Sequence, residues 1–164
     1  MRRIWLAAVV LAGAACGEDR AAAPAPQPWI LLVTIDTTRA DAMGPQVTPA
    51  FEALAASGRR FTAAHATVPE TLPSHASMMT GLYPGGHGVH ENGRTVSEAH
   101  ALAAEQLKQR GYQTSAVVSA FVLARRFGLA RGFDAYDDEL GPAATERRAD
   151  VTTARTKAAL ERLD

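Results

Sequence analysis

Residues 67–93 read TVPETLPSHASMMTGLYPGGHGVHENG, a segment that crowds hydroxyls and imidazoles between prolines and glycines. Thr71 stands just before PSHAS. A hydroxyl at a helix entry beside a bound cation can act as a nucleophile, because coordination lowers its pKa and helix N–H groups can hold an oxyanion. The alternative role for Thr71 is a plain N-terminal cap. His75, one turn on, can orient or protonate a leaving oxygen; its alternative is a surface or packing histidine. His87 and His90 are three residues apart, but GGHGVHENG is too rich in glycine for a helical metal face, so it is read as loop and helix termination rather than a zinc pair. The remaining candidate is Asp36, which ends the apolar run PWILLVTID. An ionised carboxylate there needs an ion pair, hydrogen bonds or a cation, and a cap of the TTRAD turn or a pair with Arg39 would also satisfy it.

These residues need elements to place them. The β-branched and apolar stretch 29–35 predicts a strand buried on both faces, as in a parallel sheet, with Asp36 at the C-terminal end where such sheets place their chemistry. TPAFEALAASG predicts a short helix with Thr48 as cap, Pro49 in the first turn, Phe51, Leu54 and Ala55 as its apolar face and Gly58 as stop. Residues 59–68 predict a short strand or extended segment. PSHASMMTG predicts a helix from Pro73 to Gly81, with Thr71 and Leu72 just ahead of an N-terminus that attracts anions. SEAHALAAEQLKQRG predicts an amphipathic helix capped by Ser97 and stopped by Gly111, with Ala101, Leu102 and Leu107 on one side. YQTSAVVSA predicts a second buried strand. Together they predict an α/β fold: a doubly wound, mostly parallel sheet with flanking helices. Residues 120–141 read as an irregular surface excursion, and 144–164 resume helical spacing. The chain stops inside that pattern, with no cap and no return strand, so it reads as a truncated piece of a longer domain.

Composition removes other classes. Lys and Arg number 17, equal to Asp and Glu at 17, and the basic doublets are scattered, so no nucleic-acid footprint is expected. The N-terminus MRRIWLAAVVLAGAACGED has the basic, apolar and small-residue layout of a secretory signal and is too short for a membrane span. Residues 1–16 are assigned to this signal. LAGAAC resembles a bacterial lipobox except for Gly13, leaving lipidation of Cys16 and ordinary cleavage as alternatives. With one cysteine in the chain, no disulfide framework is available. Residues 17–28 form an Ala/Pro tether, and 29–164 the folded part. The expected location is periplasmic, or the cell surface or outer membrane of a bacterium through a lipid on Cys16.

ILLVTIDTTRADAMG followed by TLPSHASMMTGLYPGGHGV, with the later SAFVLARRFGLARGFDAYDDEL, resembles the N-terminal part of sulfatases and sulfatase-like hydrolases of the alkaline phosphatase superfamily. The resemblance implies an alkaline phosphatase-like fold of which this is the N-terminal portion. It places Asp36 as the first metal-binding aspartate and Thr71 as nucleophile and metal ligand. Many sulfatases carry a second aspartate where Thr37 stands. The family's Cys/Ser-x-Pro-Ser-Arg signature reads here as Thr71-Leu72-Pro73-Ser74-His75, which brings His75 to the arginine's place beside the anion. Threonine cannot mature to formylglycine, so its covalent ester must be released by water attacking sulfur or phosphorus. The later Asp-His pair that completes the family's metal site is absent from this sequence.

The resulting expectation is metal-dependent cleavage of sulfate esters through Thr71, with calcium as the sulfatase-type cation. The alternatives are a phosphodiesterase or phosphotransferase of the same superfamily, using zinc or manganese, and a non-catalytic protein that binds anionic glycans. The 164 residues by themselves are expected to be inactive, and no substrate-binding residue is assigned.

Overall fold

In the computed structural model, residues 27–163 are described. The expected signal, Cys16 and nearly all of the tether lie outside them. The chain divides into two units, Met1–Leu31 and Leu32–Asp164. In the first, residues 27–31 form no helix or strand and are exposed. The second holds five α-helices, α1 (Pro49–Ser57), α2 (Thr71–Thr80), α3 (Pro84–His87), α4 (Ala103–Gln109) and α5 (Ala149–Leu160), and two strands, β1 (Ser115–Val117) and β2 (Ala135–Asp137). The strands pair in parallel, Ala116 opposite Tyr136. A parallel pair with packed helices is an α/β arrangement.

The core forms around α2. Leu72 and Ala76, four residues apart and so on one face of the helix, are wholly buried and share a core with the buried Val89, Val96, Leu102, Leu123, Phe127 and Leu129. The helix starts at Thr71, two residues before the predicted start, with extended Glu70 as N-cap, so Thr71 and Leu72 lie inside its first turn. Pro73 is tolerated there because a first-turn N–H has no intrahelical partner. Gly81 ends the helix in the left-handed region at φ 72°.

Several expectations are corrected. Residues 29–35 form no strand, and Leu32, Val33 and Ile35 are more than 60% exposed. A strand buried on both faces needs ladder partners and a layer over each face, and among the described residues the sheet contains only β1 and β2. Residues 59–68 form no strand for the same reason, and Arg60 pairs with Glu52 of α1 instead. That helix begins at Pro49 as predicted, but Thr48 Oγ1 bonds to Gly44 rather than capping it, and Phe51 and Leu54 are exposed. The helix predicted from Ser97 begins at Ala103, where the Glu105 carboxylate accepts the Leu102 N–H at 2.7 Å. Ser97 serves a local turn, and Arg131 holds the carbonyls of Ser97 and His100 at 3.1 and 3.0 Å.

The largest correction concerns 120–141, which is not a surface excursion. It supplies Leu123, Phe127 and Leu129 to the core and contains β2. Its glycines permit close approach: a Cβ on Gly132 (φ +86°) would lie 2.2 Å from Glu105 N, and one on Gly128 (φ +90°) 2.8 Å from Val96 O. Beyond it, α5 forms in the region of resumed helical spacing and is tied to β2 by Arg147 and Arg155, which reach Asp137 at 2.6 and 2.9 Å.

Gly132→Ala is therefore expected to destabilise the chain by about 2 kcal/mol or more, since steric overlap adds to backbone strain. Gly85→Ala, with no atom within 4 Å of its Cβ, serves as the control in thermal denaturation; equal melting temperatures would refute the packing argument.

Candidate active site

The first turn of α2 and the segment that ends at Asp36 meet. Thr71 Oγ1 donates to Asp36 Oδ2 at 2.8 Å, and the other carboxylate oxygen accepts the Thr37 N–H at 2.9 Å. Arg39 is engaged with Asp41 through Nε and Nη2 at 2.9 and 2.5 Å, so its expected alternative pairing with Asp36 does not form. Thr37 adopts φ 51°, a region that costs a β-branched residue of order 1–2 kcal/mol. That backbone turn folds the Thr37 N–H onto Asp36 while leaving Oδ2 to Thr71.

His75 sits between two groups of the same site. Its Nδ1 is 2.8 Å from the Thr71 carbonyl oxygen, and its Nε2 is 3.1 Å from Thr34 Oγ1. Both ring nitrogens are thus occupied by protein. Asp36, Thr71 and His75, the three residues picked from the sequence, lie together.

Asn92 and Glu70 join them. Asn92 Oδ1 accepts the Leu72 N–H at 2.9 Å, and the Glu70 carboxylate accepts the Asn92 N–H at 2.7 Å. This clamp ties the helix entry to the HENG loop. The donors of the first turn can be accounted for one by one: Leu72 bonds to Asn92, Pro73 has none, and Ser74 bonds to the Glu70 carbonyl at 3.1 Å. The Thr71 N–H has no protein acceptor among the described residues, which leaves it beside its own hydroxyl as a donor for an anion. An acidic residue directly before the candidate nucleophile and an Asx-Gly pair closing the segment are the only sequence signals of the clamp.

Two oxygens, one carboxylate and one hydroxyl, suit a hard divalent cation. They make only part of a shell, because among the described residues no group of three His, Cys, Asp or Glu side chains comes together. The residues present therefore fit a partial site.

His87 is buried, 2% exposed, not a loop residue in solvent. The Val89 N–H donates to its Nδ1 at 3.1 Å, so in the neutral ring Nε2 carries the hydrogen and donates to Ser77 Oγ, 2.9 Å away. Ser77 also accepts from Thr67 at 3.0 Å. Burial, reinforced by the charges of His90 and His100, pushes the His87 pKa below the ordinary histidine value.

Residues 30–125, more than half of the chain, match the family model for type I phosphodiesterase / nucleotide pyrophosphatase. The chain belongs to that family and, with the sulfatase-like hydrolases, to the alkaline phosphatase superfamily. Among curated proteins it is similar to an arylsulfatase of Clostridium perfringens (strain 13 / Type A), 29% identical over 107 residues, which is 61% of this chain and 22% of that protein. The chain thus spans about a fifth of the length of that relative. No solved structure matches it.

Two predictions follow from the geometry. Because His87 must be neutral when folded, its contribution is complete above the unfolded value near 6.5 and is lost as pH falls below it; melting temperature should decline between pH 7 and 5. His87→Asn should flatten that decline while costing about 1–3 kcal/mol at pH 7 through the lost Ser77 bond. An unchanged slope in the variant would refute it. Thr37→Asn, which tolerates the left-handed region, should stabilise by up to about 1 kcal/mol; a lower melting temperature would show that the threonine side chain contributes more than its strain costs.

Proposed function

We propose that this chain contributes the nucleophile half of an ester hydrolase site and that phosphoric diesters are its preferred substrate class. The observation that carries the reading is the 2.8 Å hydrogen bond from Thr71 Oγ1 to Asp36 Oδ2. It holds a hydroxyl in the first helical turn with its proton directed at a carboxylate, the direction in which that proton must leave for the oxygen to attack. The Thr71 N–H beside it can receive a non-bridging oxygen of the substrate. A divalent cation bound in part by Asp36 and Thr71 would supply Lewis-acid activation, zinc or manganese suiting phosphoryl transfer and calcium the sulfatase type.

The chemistry has two displacements. Thr71 Oγ bonds to phosphorus while the alcohol leaves with a proton. Water then attacks phosphorus, frees the threonine hydroxyl and yields a phosphoric monoester. A threonine ester has no route to expel the anion by breaking its own C–O bond, so the second attack must fall on the central atom. His75, with both nitrogens engaged, acts in this reading by orienting the helix entry beside the anion.

Cleavage of sulfate esters is the second reading, favoured by the similarity to the arylsulfatase. Export, and membrane attachment through a lipid on Cys16, are proposed on the N-terminal pattern alone.

The test assays the full-length protein carrying this chain on bis(4-nitrophenyl) phosphate and 4-nitrophenyl sulfate, with and without a chelator. Thr71→Ala should lower turnover by about 10³-fold or more, and the chelator should abolish it. Retained turnover in Thr71→Ala would remove the nucleophile assignment. Metal-dependent binding without turnover of either ester would favour a non-catalytic anion-binding protein.

A further inference from the structure

Nothing in the sequence marks Thr34, yet the segment bearing Asp36 touches α2 through it. Thr34 Oγ1 is 3.1 Å from His75 Nε2, and Thr71 Oγ1 is 2.8 Å from Asp36 Oδ2. The pairs run in opposite order, 34 with 75 and 36 with 71, so the segment runs against the direction of the helix. Side chains two apart on an extended chain share a face and advance ~6.6 Å, while residues four apart in a helix share a face and advance ~6 Å. The two steps nearly match. Both side-chain pairs can therefore form at once, and a slip of one residue would break both.

Little else holds the segment. Leu32, Val33 and Ile35 are 61%, 68% and 61% exposed. The second tether on the Asp36 carboxylate is its neighbour Thr37, which moves with it. Among the described residues, the two side-chain pairs are the long-range hydrogen bonds that tie 32–38 to α2.

The histidine can make its bonds in one neutral form only. The Thr71 carbonyl oxygen can only accept, so Nδ1 must carry the hydrogen, and the bare Nε2 then accepts from the Thr34 hydroxyl.

We propose that Thr34 is a positioning residue: through the Nδ1–H tautomer of His75 it fixes the register at which Asp36 meets Thr71. The inference rests on the reading of Thr71 as nucleophile. Thr34 touches no reacting atom and acts through His75 and the placement of the carboxylate.

The test has two arms. Nitrogen-15 spectra of this chain at alkaline pH, where imidazole is neutral, should show His75 protonated at Nδ1 and bare at Nε2. Thr34→Val should keep the hydrogen on Nδ1, where the Thr71 carbonyl holds it, and shift the bare Nε2 resonance to that of a nitrogen with no hydrogen-bond donor, whereas Thr34→Ser should leave the Nε2 resonance in place. In the full-length protein acting on bis(4-nitrophenyl) phosphate, Thr34→Val should lower kcat by roughly tenfold with KM little changed, since small displacements of reacting groups are costly, and Thr34→Ser should restore most of the loss. His75→Asn, which keeps a donor for the Thr71 carbonyl and lacks the atom facing Thr34, should match Thr34→Val, and the double variant should be no worse. An Nε2–H tautomer in the unmodified chain, or an unchanged kcat in Thr34→Val, overturns the proposal, as does equal loss in the valine and serine variants. Full turnover in Thr71→Ala would instead overturn the nucleophile reading, and the tautomer measurement tells the two failures apart.

Discussion

The site depends on the burial of Leu72 and Ala76. Both side chains are wholly buried, and they fix the rotation of α2 about its axis as well as its depth, because a helix turned away from that position would bring them into water. Thr71 and His75 precede these two by one residue each and so share a neighbouring face, partly exposed. The same packing that hides one pair therefore presents the other. The helix end is fixed as firmly, since the Asn92 side chain accepts the Leu72 N–H and the Glu70 carboxylate accepts the Asn92 backbone N–H.

The Asp36 side of the site is built differently. Its carboxylate is oriented by the hydroxyl of Thr71 and by the N–H of a strained neighbour, not by packing. A carboxylate held by packing keeps its place if one hydrogen bond is lost; one held by hydrogen bonds does not. The contrast explains why two hydroxyl-bearing side chains, those of Thr34 and Thr71, both bear on its position. It also fits the donor set, because the Asp36 carboxylate and the Thr71 hydroxyl, held together, are two oxygens of the kind that would hold a hard divalent cation.

Legibility in the sequence followed whether an element is defined locally. The helix at 49–57 with Pro49 in its first turn, the Gly81 stop of α2, the strand at 115–117 and the helix after 144 rest on caps, breakers and periodicity, which act over a few residues. Asp36, Thr71 and His75 were legible as chemical candidates because a carboxylate, a hydroxyl and an imidazole at element ends need reasons. Residues 29–35 carry the composition of a buried strand, but burial requires partners, and no local pattern reports whether these are present. The glycines and aromatics of 120–141 resembled loop punctuation because the contacts that give them meaning, Gly132 against Glu105 and Gly128 against Val96, lie far away in sequence. Asn92 was illegible for the same reason: its partner, the N–H of Leu72, is twenty residues back.

His87 sharpens the point about spacing. Its place three residues from His90 invites a search for a metal, and glycine density argues against one; neither consideration reveals that the ring is buried and bonded to Ser77. Ser77 lies on α2, six residues beyond Thr71, and its hydroxyl is the contact between that helix and the imidazole. The short helix α3, which ends at His87, therefore rests on α2 through a side chain that must stay neutral, and the chain continues from it to Asn92 at the helix entry. Two histidines thus brace one helix at different levels: His75, partly exposed, bonds to the backbone carbonyl of Thr71, and His87, buried, anchors α3, from which the chain runs on to the Asn92 cap. An imidazole suits both places for one reason, since a neutral ring has one donor and one acceptor on opposite edges and can join two elements that offer one group each.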